Sequence, residues 1–182
     1  MNWDIECYDW KTLFADGTAE HVPAAIIELG KASTIEGAEQ FYWLIDNTVV
    51  TQGVTFPAAL NAIPCLLSVF QSASRFAQEF FLELLVQIAA GEPSSSIRHI
   101  DLSEFRCLCR KEISYGIAIY FTYLRSGTEA ERCHCADLLG ICSENSEFLK
   151  DRVVFHFKKL IEIESSPAVR ALVINWLEAL SK

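Results

Sequence analysis

The chain has 182 residues, of which 51% are hydrophobic and 21% are charged, and its formal net charge is −9. This composition excludes disorder as the main state, and the length suits one domain or one compact helical array. Residues 1–92 carry the whole charge excess, with 12 acidic and 3 basic residues, so nucleic acid, which needs clustered lysine and arginine, is not expected as a ligand.

The first half of the chain predicts a capping segment followed by four helices. Residues 1–20 carry five acidic residues and no apolar run, which is unlike a signal peptide, and we expect them to cap the helical array. Pro23 in a first helical turn, Thr34 as an N-cap and Gly91 as a stop mark helix boundaries. Helices are predicted over residues 21–30, 35–46, 57–71 and 74–90.

The second half predicts four further helices. Thr128 and Glu131 form a capping box, and Ser146 and Ser166 are expected N-caps. The helices are predicted over residues 101–126, 128–142, 146–164 and 166–180. No alternating polar and apolar run is long enough for a strand. We therefore predict an all-α fold, an α-α superhelix of about eight helices in four antiparallel pairs, as a single domain of residues 1–182.

The apolar runs and the cysteines indicate a cytosolic protein. The longest apolar runs are 54–70, which two prolines and an asparagine interrupt, and 113–124, which is shorter than the roughly 20 residues that a membrane span needs. The seven cysteines are expected to be reduced and mostly buried. Spacing alone leaves open a disulfide between Cys107 and Cys133.

Two stretches of the second half repeat each other. Thr128–Cys142 and Ser166–Leu180 each open a helix with an arginine, and these arginines, Arg132 and Arg170, are 38 residues apart. A period of this length is typical of stacked helix–turn–helix units. The pattern resembles HEAT repeats, whose motif is Val-Arg-x-x-Ala-x-x-x-Leu-Gly in rough form. The match consists of Val169-Arg170 at the second site and of Arg132, Ala136 and Gly140 at the first.

A second resemblance covers about residues 10–90. Trp43-Leu44-Ile45, Thr51-Gln52-Gly53 and Ala62-Ile63-Pro64 are similar to segments of a group of bacterial HEAT-like proteins. In that group a tryptophan helix leads into a His-Gln-Gly loop and an alanine-rich helix, so Thr51 stands where the histidine is usual and the role of that histidine is lost here. The resemblance implies a helical-repeat fold. Some helical-repeat proteins of this kind are immunity proteins, which bind and block a toxin.

The residues that could carry chemistry do not form a recognisable catalytic or metal site. Cys133 and Cys135 flank His134, but on a helix the two cysteines point roughly 200° apart and cannot share a metal ion. None of the four histidines has a serine or cysteine at a spacing that suggests a nucleophile and its base. We therefore predict no catalytic residues, no metal site and no cofactor.

The uneven charge favours a non-enzymatic protein-binding module. Residues 93–182 hold 12 acidic and 12 basic residues, so the acidic surface belongs to the first half, where it would attract a basic protein. The most concrete form is an immunity protein for a nuclease toxin, present as a monomer or a heterodimer with the toxin. The expected contacts are acidic residues of the first half: Asp9, Asp16, Glu20, Glu28, Glu36, Glu39 and Asp46.

Other interpretations remain open at this point. Trp3, Tyr8 and Trp10 lie in an acidic and weakly patterned segment, and aromatic residues of this kind are frequent in binding interfaces. The chain is alternatively a scaffold subunit of a larger complex. A HEAT-like lyase or glycosylase is disfavoured, because a glycosylase needs a basic groove and this charge has the wrong sign.

Overall fold

A computed structural model describes residues 3–97, 101–144 and 146–181, and most of these residues are helical. The helices within these ranges are α1 (Trp3–Glu6), α2 (Val22–Lys31), α3 (Ile35–Val49), α4 (Ala58–Phe70), α5 (Gln78–Ala90), α6 (Leu102–Ser114), α7 (Ile117–Ser126), α8 (Glu129–Ser143), α9 (Glu147–Ile163) and α10 (Pro167–Leu180). The all-α prediction is confirmed. No helix in the described ranges is long and apolar enough to cross a membrane.

Contacts divide the chain into two compact units, which we call unit 1 (Met1–Ile113) and unit 2 (Ser114–Lys182). Unit 1 buries the facing sides of α2, α3, α4 and α5, with Ile26, Ile45 and Phe81 fully enclosed. Unit 2 packs α7 to α10 around Tyr120 and Phe157. The superhelical arrangement and the single domain over residues 1–182 stay predictions.

Local capping signals place most helix starts as expected. The Thr34 hydroxyl accepts a hydrogen bond from the Gly37 amide at 3.1 Å, and α3 begins at the next residue. Thr128 and Glu131 form the complete capping box of α8. Ser146 and Ser166 cap α9 and α10 in the predicted way. These contacts involve neighbouring residues only, so a sequence pattern is enough to predict them.

Two predicted helix boundaries are wrong. The helix expected over residues 101–126 is two helices, because Gly116, a poor helix former, starts a new one and its carbonyl accepts the Ile119 amide at 2.9 Å. The helix expected from residue 74 begins at Gln78 instead. Ser74 bonds to the end of α2, with its hydroxyl donating to the Ala32 carbonyl at 2.6 Å and its amide to Gly30 at 2.9 Å.

The expectation of no strand is also wrong, although each strand in the described ranges has only two residues. They are β1 (Phe14–Ala15), β2 (Gly17–Thr18), β3 (Val50–Thr51), β4 (Val54–Thr55) and β5 (Glu92–Pro93). Strands β3 and β4 form a hairpin whose turn residues, Gln52 and Gly53, have φ of 52° and 76°. Two positive φ values are typical of a type I′ turn. Strand β5 joins β4 in parallel. A strand of two residues is too short to show an alternation of polar and apolar side chains, so the sequence pattern did not predict these strands.

The repeated arginines of the sequence have one shared structural role in unit 2. Arg132, at the start of α8, donates to Glu164 at 3.0 Å and to the Gly127 carbonyl at 2.8 Å. Arg170, in α10, donates to the carbonyls of Ile161 and Glu164. Both guanidinium groups therefore hold the junction between α9 and α10, where Arg satisfies helix-end carbonyls that would otherwise be unpaired.

Candidate functional site

All seven acidic residues predicted as partner contacts lie in unit 1. Asp46 is half-buried, and the other six are exposed: Asp9, Asp16, Glu20, Glu28, Glu36 and Glu39. Glu28 is paired with Lys31 at 3.0 Å, and Glu20 with Lys11 at 3.6 Å. Exposed pairs of this kind contribute little stability, so these two carboxylates stay accessible to another cation.

Hydrogen bonds place two members of the predicted set, Asp16 and Glu20, near the end of α3. The Asp16 amide donates to the Thr48 carbonyl at 3.1 Å. The His21 Nε2 lies 2.9 Å from the Thr48 hydroxyl and 3.1 Å from the Leu44 carbonyl, which places the adjacent Glu20 near the same end. Among the described residues, no such contact joins Asp9 or Glu28 to α3.

The centre of the candidate site is a group of two carboxylates around one tyrosine. The Tyr42 hydroxyl of α3 donates to Glu83 Oε1 of α5 at 3.1 Å. Burial, and then the charge of Glu83, raises the pKa of Asp46 to about 6, while its interaction with the Tyr42 hydroxyl acts in the opposite direction. Burial also raises the pKa of Tyr42, with the two carboxylates adding to the effect. Two negative groups thus share a half-buried position on neighbouring helices.

Two further aromatic side chains pack against the Tyr42 ring. Trp43 is 48% exposed, and its indole Nε1 donates to Glu39 at 3.4 Å. The Tyr42 ring lies 4.9 Å from the Trp43 ring and 5.4 Å from the Phe80 ring. We call this surface the acidic–aromatic face, and its members are Glu36, Glu39, Tyr42, Trp43 and Asp46 of α3 with Phe80 and Glu83 of α5.

The acidic–aromatic face has an excess of negative charge that the described residues do not compensate. No lysine, arginine or histidine of the described ranges forms an ion pair with Glu36, Glu39, Asp46 or Glu83. A cationic side chain from another molecule would relieve the repulsion between the Asp46 and Glu83 carboxylates. The neighbouring rings would meet its alkyl or guanidinium part.

Sequence reasoning identified only part of this face. It included Glu36, Glu39 and Asp46, but it did not select Glu83 and gave Trp43 no binding role. A usable signal was present, because Glu39, Trp43 and Asp46 are spaced i, i+4 and i+7, which sets an aromatic ring between two acids on one side of a helix. No local signal connects Glu83 to them, since α5 meets α3 only in the folded unit.

The two tryptophans of the N-terminal segment differ in their exposure to solvent. Trp10 is buried and its Nε1 donates to the Ile5 carbonyl at 2.9 Å, so it is not available to a partner. Trp3 is 78% exposed at the edge of an open cleft of about 850 Å³ between α1, α2 and α4. Gly30 lines this cleft. A Cβ at that position would lie 2.5 Å from Val69 Cγ1, so a larger residue would require Val69 to move.

The seven cysteines are free thiols. Within the described ranges, no group of three or more His, Cys, Asp or Glu side chains is placed to hold a metal ion. Cys107 and Cys133 are not linked by a disulfide. Burial raises the pKa of Cys65 and of Cys109 to about 12, so these thiols are protonated at neutral pH and are poor nucleophiles.

Comparisons of this chain with protein-family models, with characterised proteins and with solved structures found no match. The resemblance to HEAT repeats therefore stays a prediction. Any functional assignment depends on the residues of the chain itself, and the acidic–aromatic face is the arrangement with the clearest chemical preference.

The raised pKa of Asp46 predicts a pH-dependent effect on stability. Because the folded state holds the Asp46 proton more tightly than the unfolded chain, ionisation of Asp46 destabilises the fold as pH rises from about 4 through about 6. We expect Asp46→Asn to remove this penalty and to stabilise the protein at pH 8 by about 1 kcal/mol after solvent screening, or about 2–4 °C in Tm. At pH 3.5 the variant and the wild type should have nearly equal Tm.

Thermal unfolding at both pH values, followed by circular dichroism, measures this difference. Glu36→Gln, an exposed change on the same helix, is the matched control and should not raise Tm at either pH, because this carboxylate lies in the first turn of α3 and favours the helix. An Asp46→Asn variant that is less stable than the wild type at pH 8 would contradict the prediction.

Proposed function

We propose that this chain is a non-enzymatic protein-binding module that binds a basic protein through the acidic–aromatic face of unit 1. The most concrete form of the proposal is an immunity-type inhibitor of a nuclease toxin. The observation that carries it is an exposed tryptophan, Trp43, among carboxylates that have no cationic partner in the described residues.

The charge of the whole unit supports a basic partner. Unit 1 holds 15 acidic and 7 basic residues, a net charge of −8, whereas unit 2 holds 9 and 8, a net charge of −1. A field of one sign speeds association with a partner of the opposite sign and discriminates against other partners. Nuclease domains commonly present basic surfaces, because their substrate is a polyanion.

The aromatic residues support a specific contact in addition to a general attraction. Trp, Tyr and Arg are the most frequent side chains at positions that dominate binding energy, and such positions are normally surrounded by contacts that exclude water. On this face Trp43 and the half-buried Phe80 supply apolar area against the Tyr42 ring, whose hydroxyl bonds to Glu83. An arginine or lysine of the partner would insert between them, with its charge on the carboxylates.

Charge reversal on the face is the direct test of the proposal. We expect Glu36→Lys, Glu39→Lys and Asp46→Lys in combination to slow association with the captured partner about tenfold or more and to flatten its dependence on salt. The tagged wild-type protein is first used to capture partners from the lysate of its native host, and association rates are then measured at several salt concentrations by surface plasmon resonance.

The matched control reverses three exposed acids of unit 2, Glu129, Glu147 and Glu178, which changes the net charge by the same amount. This control should bind nearly as the wild type does. A partner that is not basic, or equal binding by the two triple variants, would reject the proposed site. Size-exclusion chromatography of the captured complex separates an inhibitor, with one small basic partner, from a scaffold in a large assembly.

A further inference from the structure

Unit 2 places two basic side chains against one aromatic ring, with a third basic side chain one helical turn away. The Arg152 guanidinium of α9 lies over the Phe121 ring, 4.3 Å from its centroid. The His156 ring contacts the same phenyl group, with 4.4 Å between the ring centroids. The Arg125 Nε of α7 donates to the Phe121 carbonyl at 3.2 Å, one helical turn back, and its charge acts on the His156 ring. Phe121 itself is buried, so it holds the cluster in place.

These basic groups lack an anionic partner within the described part of the chain. Neither Arg125 nor Arg152 forms an ion pair with any carboxylate there. Burial, and then the charges of Arg152 and Arg125, lowers the pKa of His156. Like charges at this distance oppose one another, and a bound anion would reverse that opposition. Arginine clusters that recognise acidic motifs have this character.

Exposed apolar side chains continue the same surface along α9. Phe148 is 85% exposed and Phe155 is 61% exposed, and Phe155 makes an edge contact with His156 at 5.8 Å. Residues 148, 152 and 155 follow an i, i+4, i+7 spacing, so they share one side of the helix. The opposite side of α9 is buried in unit 2, with Val153 and Phe157 fully enclosed. We call Arg125, Phe148, Arg152, Phe155 and His156 the basic–aromatic stripe.

We infer that the basic–aromatic stripe is a docking site for an acidic amphipathic segment of another protein. Carboxylates of that segment would pair with Arg125, Arg152 and His156, and its apolar side chains would cover Phe148 and Phe155. The two phenyl groups are about 10.5 Å apart along the axis of α9, which suits a helical segment with apolar residues two turns apart. The stripe belongs to unit 2 and the acidic–aromatic face to unit 1, and the two would bind partners of opposite charge.

The charges of the chain argue against a nucleic acid or a second copy of this chain as the molecule that binds the stripe. A nucleic acid would meet a few cations on a unit of net charge −1 in a chain of net charge −9, where a polyanion is repelled overall. Two copies of this chain packed stripe to stripe would bring the like charges of Arg125 and Arg152 together. An acidic segment needs only two or three carboxylates and gains the apolar contacts as well.

Selection from a random 16-residue peptide display library tests the inference with the full chain. We expect the enriched peptides to combine Asp or Glu with apolar residues at helical spacing. Fluorescence anisotropy should then show that Arg125→Glu and Arg152→Glu each weaken binding of a selected peptide at least tenfold. Lys158→Glu, which reverses an exposed charge outside the stripe on the same helix, should change the affinity less than twofold. Circular dichroism confirms that each variant is folded.

The same library is also selected on the double variant Arg125→Glu/Arg152→Glu. The inference would be overturned if the wild type enriched no peptides beyond those that the double variant enriches, or if the enriched peptides were basic. Tighter binding of a labelled oligonucleotide than of the peptides would overturn it as well. Phe155→Ala supplies a second variant that leaves the charges intact, and it should also weaken peptide binding. The triple variant of the acidic–aromatic face should bind these peptides as the wild type does, so failure of one site is distinguishable from failure of the other.

Discussion

We expect Glu164→Gln to lower the free energy of unfolding by about 1.5–3 kcal/mol at neutral pH, because it removes a charge from a part-buried ion pair and weakens the hydrogen bonds to Arg132 and Ser166. The Glu164 side chain is 5% exposed and that of Arg132 is 20% exposed. One carboxylate oxygen of Glu164 accepts from Arg132 at 3.0 Å and from the Ser166 amide at 2.8 Å. The other oxygen lies 2.8 Å from Arg132 Nε, an ion pair outside hydrogen-bond geometry.

The pH dependence of this effect has a definite sign. Burial raises the pKa of Glu164, but the Ser166 amide and the Arg132 guanidinium outweigh it, so the net pKa is below the ordinary 4.5. The carboxylate therefore stabilises the fold fully above about pH 4.5 and loses this contribution as pH falls through its lowered pKa. The difference in stability between wild type and Glu164→Gln should be largest near pH 7 and should shrink in acid.

Urea unfolding at pH 7 and pH 4 measures the loss of stability in Glu164→Gln and its dependence on pH. Glu162→Gln is the matched control, since Glu162 is 60% exposed and paired with exposed Lys159, and it should lower stability by less than about 0.5 kcal/mol. Replacing both partners, as in Arg132→Met/Glu164→Gln, should recover part of the loss because no buried charge is left alone. Equal stability of Glu164→Gln and Glu162→Gln would show that the buried pair has no such role.

We also expect Gly140→Ala to destabilise the protein by about 1–3 kcal/mol, although alanine normally favours a helix interior by about 1 kcal/mol over glycine. A Cβ at residue 140 would lie 2.3 Å from Trp176 Cδ2, which is far inside van der Waals contact. The indole cannot move aside freely, since its Nε1 donates to Asp137 at 2.8 Å. Helices α8 and α10 must therefore separate or the ring must leave its position.

Thermal unfolding of Gly140→Ala and of Gly140→Ala/Trp176→Leu checks this explanation. The smaller leucine gives the new methyl group room, so the second substitution should cost less in the Gly140→Ala background than in the wild type. A Gly140→Ala variant at least as stable as the wild type would mean that α8 and α10 do not approach so closely. Glycine at this position matches the repeat motif, and the structure gives it a packing reason.

Helix starts in this chain were predictable because their signals are local. Thr34, Thr128, Ser146 and Ser166 each bond to an amide three residues ahead, so the residue type and its neighbours are enough. Ser74 looked like another start, yet it bonds to residues of α2 more than 40 positions away. The same contrast holds for the candidate site, where Asp46 was predicted from charge and Glu83 was not.

Composition and short-range pattern by themselves determined that this protein is helical, that its negative charge belongs to the first half, and where most helices begin. Such features depend on residue counts or on contacts within one turn of the backbone. Tertiary structure alone decided which acids share a position, that Arg132 and Arg170 hold one junction, and that Arg152 of α9 lies over the Phe121 ring of α7. These groups come from different helices, and only close packing of side chains sets the distances between them.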